Sequence, residues 1–171
     1  MLLRFTNNHR SLWAIFLFSF LTACSSAEGK AERLVHEENS LYQYIAVIEN
    51  PERGERYLAH RQKGFIQGGI DLAAPNSLLY EYTRMAFIAL PFLNRPPENT
   101  LFVGLGAGSM PRYLHDYYPE TTIDVIEIDP AALKTAKKYF YFQEDNRMRV
   151  RIADGRMYLK RSAEKYDLIF L

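Results

Sequence analysis

The sequence predicts an α/β fold, in which a small antiparallel β region precedes a parallel sheet with helices on both faces. Two observations lead to this prediction. Between residues 101 and 171, short apolar runs alternate with segments of helical periodicity, which is the pattern of a parallel sheet. Before them, residues 41–72 alternate apolar and polar side chains and contain turn residues, as antiparallel strands do. The length of 171 residues allows about one such domain.

Residues 1–23 have the composition of a bacterial export signal. The segment begins with Arg4 and Arg10 and no acid, and its apolar run, residues 12–21, is too short for an ordinary membrane-spanning helix. Leu21-Thr22-Ala23-Cys24 resembles a lipobox, in which Cys24 is lipidated and becomes the mature N-terminus. An uncleaved membrane anchor and a core helix are the alternatives.

A lipidated Cys24 would anchor the protein in the bacterial cell envelope, facing the periplasm. By resemblance to lipoprotein sorting, Ser25 after this cysteine favours the outer membrane. Residues 24–39 are polar, small and charged, which predicts a tether of low order. The single cysteine excludes an intrachain disulfide, and the formal net charge of +1 gives no reason to propose nucleic-acid binding.

Residues 40–74 predict a small antiparallel sheet or hairpin, and residues 75–171 a partial nucleoside-binding domain. Strands are expected at residues 42–49, 56–60 and 64–67, with a turn at 50–54 and an end at Gly68-Gly69. A helix over about residues 78–92 is expected next, because Pro75-Asn76-Ser77 can cap it.

A glycine-rich turn between two apolar runs predicts a nucleoside site. Glycines allow the backbone to approach a ligand closely, and the helix expected from about Ser109 directs unpaired N–H groups at the same place. Glu127 ends the second run and lies 23 positions after the first glycine. This is close to the offset of about 20 for an acid that binds ribose hydroxyls. The glycines of the turn are Gly104, Gly106 and Gly108.

The turn favours a Rossmann-like sheet of the S-adenosylmethionine type. Position 109 is serine, whereas a dinucleotide-binding fingerprint has a third glycine there, and no phosphate-binding lysine follows, which excludes a P-loop. Four strands in the usual order 3-2-1-4 are expected, and the last, residues 166–171, would be an exposed apolar edge. We therefore expect a sheet truncated after its fourth strand: a fragment, a frameshifted reading frame, or half of a larger molecule. The further elements are helices at 131–140 and 156–163 and a strand at 148–153.

From about residue 41 onward the chain resembles the N-terminal half of a spermidine synthase, a polyamine aminopropyltransferase. Residues 81–85 and 104–106 are more similar to the membrane-associated branch of this family than to its soluble enzymes. The motifs that carry the resemblance are Ser40-Leu41-Tyr42-Gln43, Gly64-Phe65-Ile66-Gln67, the glycine turn, Val125-Ile126-Glu127-Ile128-Asp129-Pro130, Ala153-Asp154-Gly155-Arg156 and Tyr166-Asp167-Leu168-Ile169.

The resemblance implies a site for a small-molecule nucleoside and an amine. Gln43 would contact the nucleoside, Glu127 its ribose, Asp154 and Gly155 the adenine, and Tyr82 the polyamine. Decarboxylated S-adenosylmethionine would be a substrate and not a permanently bound cofactor, and an aminopropyl group would pass to an amine such as putrescine. Family synthases are oligomers. The residues alone leave other roles open: a helix cap for Asp154, a polar hairpin face for Gln43 and a core aromatic for Tyr82.

The chain departs from the family where the amine is bound and activated. The synthases carry an aspartate at the position of Ala107, and a histidine or glutamine followed by an acid at Thr83 and Arg84. The family's proton-accepting aspartate would lie beyond Leu171, so no catalytic residue is assigned. Three hypotheses remain: an incomplete or inactive aminopropyltransferase, a methyltransferase-like enzyme using ordinary S-adenosylmethionine, or an inert membrane-tethered relic. We expect Glu127→Ala to abolish nucleoside binding with little loss of fold.

Overall fold

The computed structural model describes residues 31–60 and 65–171, which form two four-stranded sheets. The strands of the first sheet are β1 (Arg33–Asn39), β2 (Tyr44–Asn50), β3 (Glu55–His60) and β4 (Ile66–Asp71). This sheet is antiparallel with the strand order β1-β2-β3-β4, so the predicted N-terminal β region is confirmed. Residues 1–23 and Cys24 lie outside the described residues. Within the described ranges, none of the helices has the length and apolar character needed to cross a bilayer.

Strand β1 corrects the prediction of a low-order tether, which was wrong for residues 33–39. These residues pair with β2 along its length, and their polar side chains find partners across the strands. Arg33 forms an ion pair with Glu49, which also binds Arg56 of β3. Val35 packs against the buried core beneath the sheet. Cross-strand ion pairs and one apolar contact therefore allow a mostly polar segment to act as a strand.

Strand β4 runs through the glycine pair at which the sequence predicts its end. A Cβ on Gly69 would lie 2.7 Å from the carbonyl oxygen of Arg56, and a Cβ on Gly68 would lie 3.1 Å from the Cβ atom of Ala107. The two glycines are therefore positions where neighbouring atoms come close to the strand, and they do not end it.

The helix predicted over residues 78–92 begins later than expected and changes from α-helical to 3₁₀ geometry. It begins as α1 (Glu81–Ala86) and continues as a 3₁₀ helix over Phe87–Phe92. Ser77 forms a turn with its N–H on the carbonyl oxygen of Ala74, so the predicted cap lies outside the helix. Pro91 lies inside the second segment, where its missing N–H and its ring are incompatible with α-helical bonding.

The second sheet is built from strands that alternate with helices along the chain, as predicted. Its elements are β5 (Asn99–Val103), α2 (Ser109–Tyr117), β6 (Thr122–Glu127), α3 (Pro130–Tyr139), β7 (Met148–Ile152), α4 (Gly155–Arg161) and β8 (Leu168–Phe170). The sheet is parallel and has the strand order β7-β6-β5-β8, which confirms the predicted order 3-2-1-4.

A shared core holds the two sheets together beside the glycine turn. It contains apolar side chains of β2, β3 and β4 together with Ala107 and Phe140 of the parallel domain. Arg56 of β3 adds a hydrogen bond from its Nη1 to the carbonyl oxygen of Tyr139, 2.7 Å away. The antiparallel sheet is thus fixed over the end of α3 and the turn before α2. The buried residues it contributes are Ile45, Val47, Leu58 and Ile70.

Strand β8 lies at the edge of the parallel sheet and is held by aromatic contacts. Phe170 stacks on Phe102 of β5 with ring centroids 4.5 Å apart, and it also contacts Phe87. Asp167, just before the strand, accepts the backbone N–H groups of Glu98 and Asn99 at 2.8 and 3.0 Å. The predicted apolar edge is present, and Ile169 on it is 44% exposed.

Candidate nucleoside-binding site

The glycine turn connects β5 to α2 at the carboxyl edge of the parallel sheet. Its three glycines have positive φ angles of 102°, 56° and 72°, which L side chains rarely adopt. At the last of them, Gly108, a Cβ would also lie 2.7 Å from Cδ2 of Phe142. Gly104 donates its N–H to the carbonyl oxygen of Ile126 at 2.8 Å, which joins the turn to β6. The sequence pattern is therefore used to bring backbone close to the sheet edge.

Glu127 ends β6 with a buried carboxylate that supports the glycine turn directly. Its Oε2 accepts the N–H of Leu105 at 2.8 Å, and its Oε1 accepts the N–H of Asp129 at 2.9 Å. An ionised carboxylate has about four acceptor positions, so two N–H groups leave capacity for ribose hydroxyls. The expectation of little loss of fold in Glu127→Ala is not supported by these contacts, because that change removes the acceptor of two buried N–H groups.

Asp154 and Gly155 follow β7 and lie beside the end of β6. The N–H of Ala153 donates to the carbonyl oxygen of Glu127 at 2.9 Å. Asp154 caps α4, because its Oδ1 accepts the N–H of Met157 at 2.9 Å, and this was the alternative left open by the sequence. Its side chain is exposed, and Oδ2 has no hydrogen-bond partner within the described ranges. The cap therefore leaves one oxygen available, and the adenine role stays a prediction.

Gly155 has a packing role that the resemblance does not indicate. A Cβ at this position would lie 2.3 Å from Cγ1 of Val103, the last residue of β5. The first turn of α4 can come against the end of β5 only because the side chain is missing. Gly155 therefore holds the start of α4 close to the glycine turn.

Gln43 reaches the sheet edge from the turn between β1 and β2. Its Nε2 donates to Oδ2 of Asp129 at 3.4 Å, and its Oε1 accepts from Nε2 of Gln67 at 3.0 Å. The side chain is half-buried between the two sheets. The structure thus brings Gln43 to the same edge as Glu127, and the alternative of a solvated polar hairpin face does not describe it.

Tyr82 lies on α1 across from the glycine turn. Its hydroxyl donates to the carbonyl oxygen of Gln67 at 2.8 Å, and its ring stacks on Tyr80 with centroids 6.1 Å apart. The residue is 51% exposed, so it is not a core aromatic. Partial burial raises the pKa of Tyr82 above its ordinary value.

A cavity of about 180 Å³ lies between Tyr82, Gln67 and the glycine turn. Among the residues that the structure describes, no side chain that lines it carries a charge. Ala107 is buried in its wall, the hydroxyl of Thr83 donates to the carbonyl oxygen of Tyr80 at 2.6 Å, and Arg84 points to solvent. The cavity therefore offers hydroxyl and amide groups but no carboxylate. Its lining is Gln67, Tyr82, Thr83, Phe102, Val103, Gly104, Leu105, Gly106, Ala107, Ser109, Met110 and Pro111.

Sequence reasoning assigned no role to Asp129, which is 1% exposed and contacts three elements of the site. Its Oδ1 accepts the N–H of Ala131 at 2.9 Å and caps α3, while its Oδ2 accepts from Ser40 Oγ at 2.6 Å. The cap could have been found, since aspartate followed by Pro130 is a helix-start pattern. The contact with Ser40 spans 89 positions and has no local signal.

Comparison with known sequences finds a matching family model and similar proteins. Residues 79–171 match the family model described as the spermine/spermidine synthase domain. A polyamine aminopropyltransferase of Vibrio vulnificus is 36% identical over 162 residues, covering 92% of this chain and 54% of the relative. An eEF1A lysine and N-terminal methyltransferase of Bos taurus is 38% identical over 103 residues, covering 54% of this chain and 15% of the relative.

Comparison with solved structures confirms the fold. The spermidine synthase of Thermotoga maritima superposes with a TM-score of 0.64 at 23% identity, covering 80% of this chain and 45% of that one. A probable spermidine synthase of Corynebacterium glutamicum gives a TM-score of 0.59 at 22% identity, covering 75% and 48%. The chain spans about half the length of the curated aminopropyltransferases it matches.

Proposed function

The chain belongs to the spermine/spermidine synthase family, and we propose that it is the nucleoside-binding part of an aminopropyltransferase. One observation carries the proposal. A buried carboxylate, Glu127, is held at the carboxyl edge of the parallel sheet, where it supports the glycine turn and keeps acceptor capacity for a ribose diol. The proposed substrates are decarboxylated S-adenosylmethionine and an amine.

In the proposed reaction the amine nitrogen attacks the aminopropyl carbon bonded to the sulfonium. The carbon–sulfur bond breaks, methylthioadenosine leaves, and the amine gives up a proton to a base. The amine must be neutral to attack, so this base has to stand beside it. The cavity beside the glycine turn has no charged side chain from residues 31–60 or 65–171. We therefore assign binding and orientation to these residues and assign the base to none of them.

Each proposed contact has a matching group at the site. Glu127 would accept the ribose hydroxyls, and the free oxygen of Asp154 would accept the amino group of adenine. Gln43 reaches the same edge and would contact the nucleoside. The aminopropyl end would lie in the cavity next to Tyr82, whose aromatic ring would attract a cation.

A methyltransferase-type function is the second candidate. The observation that favours it is the buried Ala107, because the described lining of the cavity then contains no carboxylate for the ammonium of an aminopropyl group. Both forms of S-adenosylmethionine carry a methyl group on the sulfonium, and the ordinary form would bind through the same ribose and adenine contacts. The two candidates share the nucleoside site and differ in the end of the ligand beyond the sulfur.

Calorimetric titration of the full chain, purified in mild detergent, distinguishes these functions. The ligands are decarboxylated S-adenosylmethionine, S-adenosylmethionine and methylthioadenosine. We expect the decarboxylated form and the thioadenosine to bind more tightly than S-adenosylmethionine. A preference for S-adenosylmethionine would favour the methyltransferase. A folded sample that binds none of the three would contradict both and support the inert relic.

We also propose that Cys24 is lipidated and holds this site at the periplasmic face of the outer membrane. Because β1 begins at Arg33, only residues 25–32 would separate the lipid from the antiparallel sheet. Eight residues at about 3.5 Å each reach at most about 28 Å. The domain would then lie close to the bilayer surface.

We further propose that the chain self-associates, as family synthases do. Sedimentation of the purified chain would test this proposal.

A further inference from the structure

We propose that Asp129 is a positioning residue that sets the orientation of the Gln43 amide at the nucleoside site. The inference rests on the proposed function, because Gln43 is one of its nucleoside contacts. Asp129 lies two residues beyond Glu127, and the two acids are joined by the hydrogen bond from the Asp129 N–H to the Glu127 carboxylate. The ribose acid and the positioning acid are therefore parts of one strand end.

Within the described part of the chain, every group that forms a hydrogen bond with the Asp129 carboxylate is a donor. Oδ1 accepts the N–H of Ala131, and Oδ2 accepts the hydroxyl of Ser40 at 2.6 Å and Nε2 of Gln43 at 3.4 Å. An ionised carboxylate can only accept hydrogen bonds. Burial to 1% exposure removes water as an alternative partner. The side chain therefore selects the amino end of the Gln43 amide and excludes its oxygen.

This selection determines where the other end of the amide points. With its amino group on Asp129, Gln43 presents Oε1 to Nε2 of Gln67 at 3.0 Å. The backbone carbonyl oxygen of Gln67 in turn accepts the hydroxyl of Tyr82. A chain of hydrogen bonds thus runs from the end of β6 to the cavity beside α1. Reversing the Gln43 amide would place its oxygen against the Asp129 carboxylate, which is also an acceptor. Its amino group would then face the amino group of Gln67, which is also a donor.

Ser40 fixes the backbone of Gln43 to the same acid. Its Oγ accepts the N–H groups of Tyr42 and Gln43 at 3.0 and 2.9 Å. Its proton can be given to the carbonyl oxygen of Gln43 at 3.0 Å or to Asp129 at 2.6 Å, and the shorter bond to a charged acceptor is the stronger one. Both the backbone and the side chain of Gln43 are therefore anchored on Asp129.

Asp129→Asn separates positioning from helix capping. Asparagine caps helices about as well as aspartate, so its remaining oxygen can keep the bond from Ala131. The second oxygen becomes an amino group, which is a donor facing the donors of Ser40 and Gln43. The substitution therefore preserves the cap and reverses the polarity of the contact that orients Gln43. Asp145→Asn is the matched control. Asp145 lies before the amino end of β7, away from the carboxyl edge of the sheet, and its Oδ1 accepts two backbone N–H groups.

The test is a double-mutant cycle on the full chain with methylthioadenosine as the probe, measured by calorimetry. We expect Asp129→Asn and Gln43→Ala each to weaken binding about tenfold, and the double variant to bind no more weakly than Gln43→Ala alone. The control variant Asp145→Asn should bind methylthioadenosine with wild-type affinity. The melting temperature of Asp129→Asn should lie within a few degrees of that of the wild type. Independent losses that multiply in the double variant, or wild-type affinity in Asp129→Asn, would overturn the inference.

A ligand-free readout separates failure of this inference from failure of the proposed function. In NMR spectra of the free chain, we expect the side-chain amide resonances of Gln43 to shift strongly in Asp129→Asn and to stay in place in Asp145→Asn. Such a shift with no nucleoside binding by the wild type would support the orienting contact and contradict the proposed function. Unchanged Gln43 resonances would overturn the positioning role whether or not nucleoside binds.

Discussion

Replacing Glu127 tests how strongly the site and the fold depend on one carboxylate. The side chain is 6% exposed and accepts two backbone N–H groups through different oxygens. In Glu127→Gln one oxygen remains, and the other N–H faces an amino group. In Glu127→Ala both N–H groups lose their acceptor. The glutamine variant therefore removes one of the two contacts with almost no change of shape.

The magnitude follows from the cost of a buried N–H without an acceptor, about 1–3 kcal/mol for each group. A change of 1 kcal/mol moves the melting temperature of a domain of this size by about 2–4 °C. We expect Glu127→Gln to melt roughly 2–12 °C below the wild type. Glu127→Ala would lose about 2–6 kcal/mol, which is comparable with the whole stability of a marginal domain at about 5 kcal/mol.

Thermal unfolding followed by circular dichroism measures both variants. The exposed Glu120→Gln provides a control with the same chemical change and should melt like the wild type. The order wild type, Glu127→Gln, Glu127→Ala in decreasing melting temperature is the predicted result. Melting of both Glu127 variants within 1 °C of the wild type would refute the reasoning, because the N–H groups would then have found other acceptors.

Further substitutions test separate parts of the structure. Gly108→Ala combines a positive φ with a steric clash, whereas Gly54→Ala has a φ of 65° with no atom near its Cβ. The melting temperature should therefore fall more in Gly108→Ala than in Gly54→Ala, and equal decreases would contradict the clash. Hydrogen bonds from two arginines lower the pKa of Glu49, so its contribution to stability should disappear as the pH falls below about 4.5. In Glu49→Gln, the melting temperature should depend less on pH in that range. A pH dependence equal to that of the wild type would exclude a stabilising role for the Glu49 carboxylate. Cys24→Ser should release the protein from membranes, and persistence in the membrane fraction would favour an uncleaved anchor.

The parallel sheet was predictable because its signals are local. Apolar runs that alternate with helical segments specify strand order through the rules for parallel connections. The glycine turn and Glu127 could be placed from spacing alone, and the structure puts them at one edge. Strand β1 was missed because its residues are mostly polar, and its stability comes from partners in β2 such as Glu49.

The details of the site depend on contacts between distant residues. Nothing near Asp129 indicates that Ser40 and Gln43 meet it, because these contacts form only when the antiparallel sheet docks on the parallel one. The support that Glu127 gives to the glycine turn was also hidden, since the pattern that predicts a ribose-binding acid looks the same for an acceptor of backbone N–H groups. Spacing identified the residues, and packing determines what each one contacts.

Amide chemical-shift mapping with methylthioadenosine tests the central claim most directly. The account predicts that added ligand shifts the backbone N–H resonances of Gly104, Leu105 and Gly106, together with those after β6 and at the start of α4. The control region is the segment around Asp145 at the amino end of β7, whose resonances should not shift. Saturable shifts confined to the carboxyl edge would support a nucleoside site built on Glu127. Saturable shifts elsewhere, with the glycine turn unchanged, would contradict it.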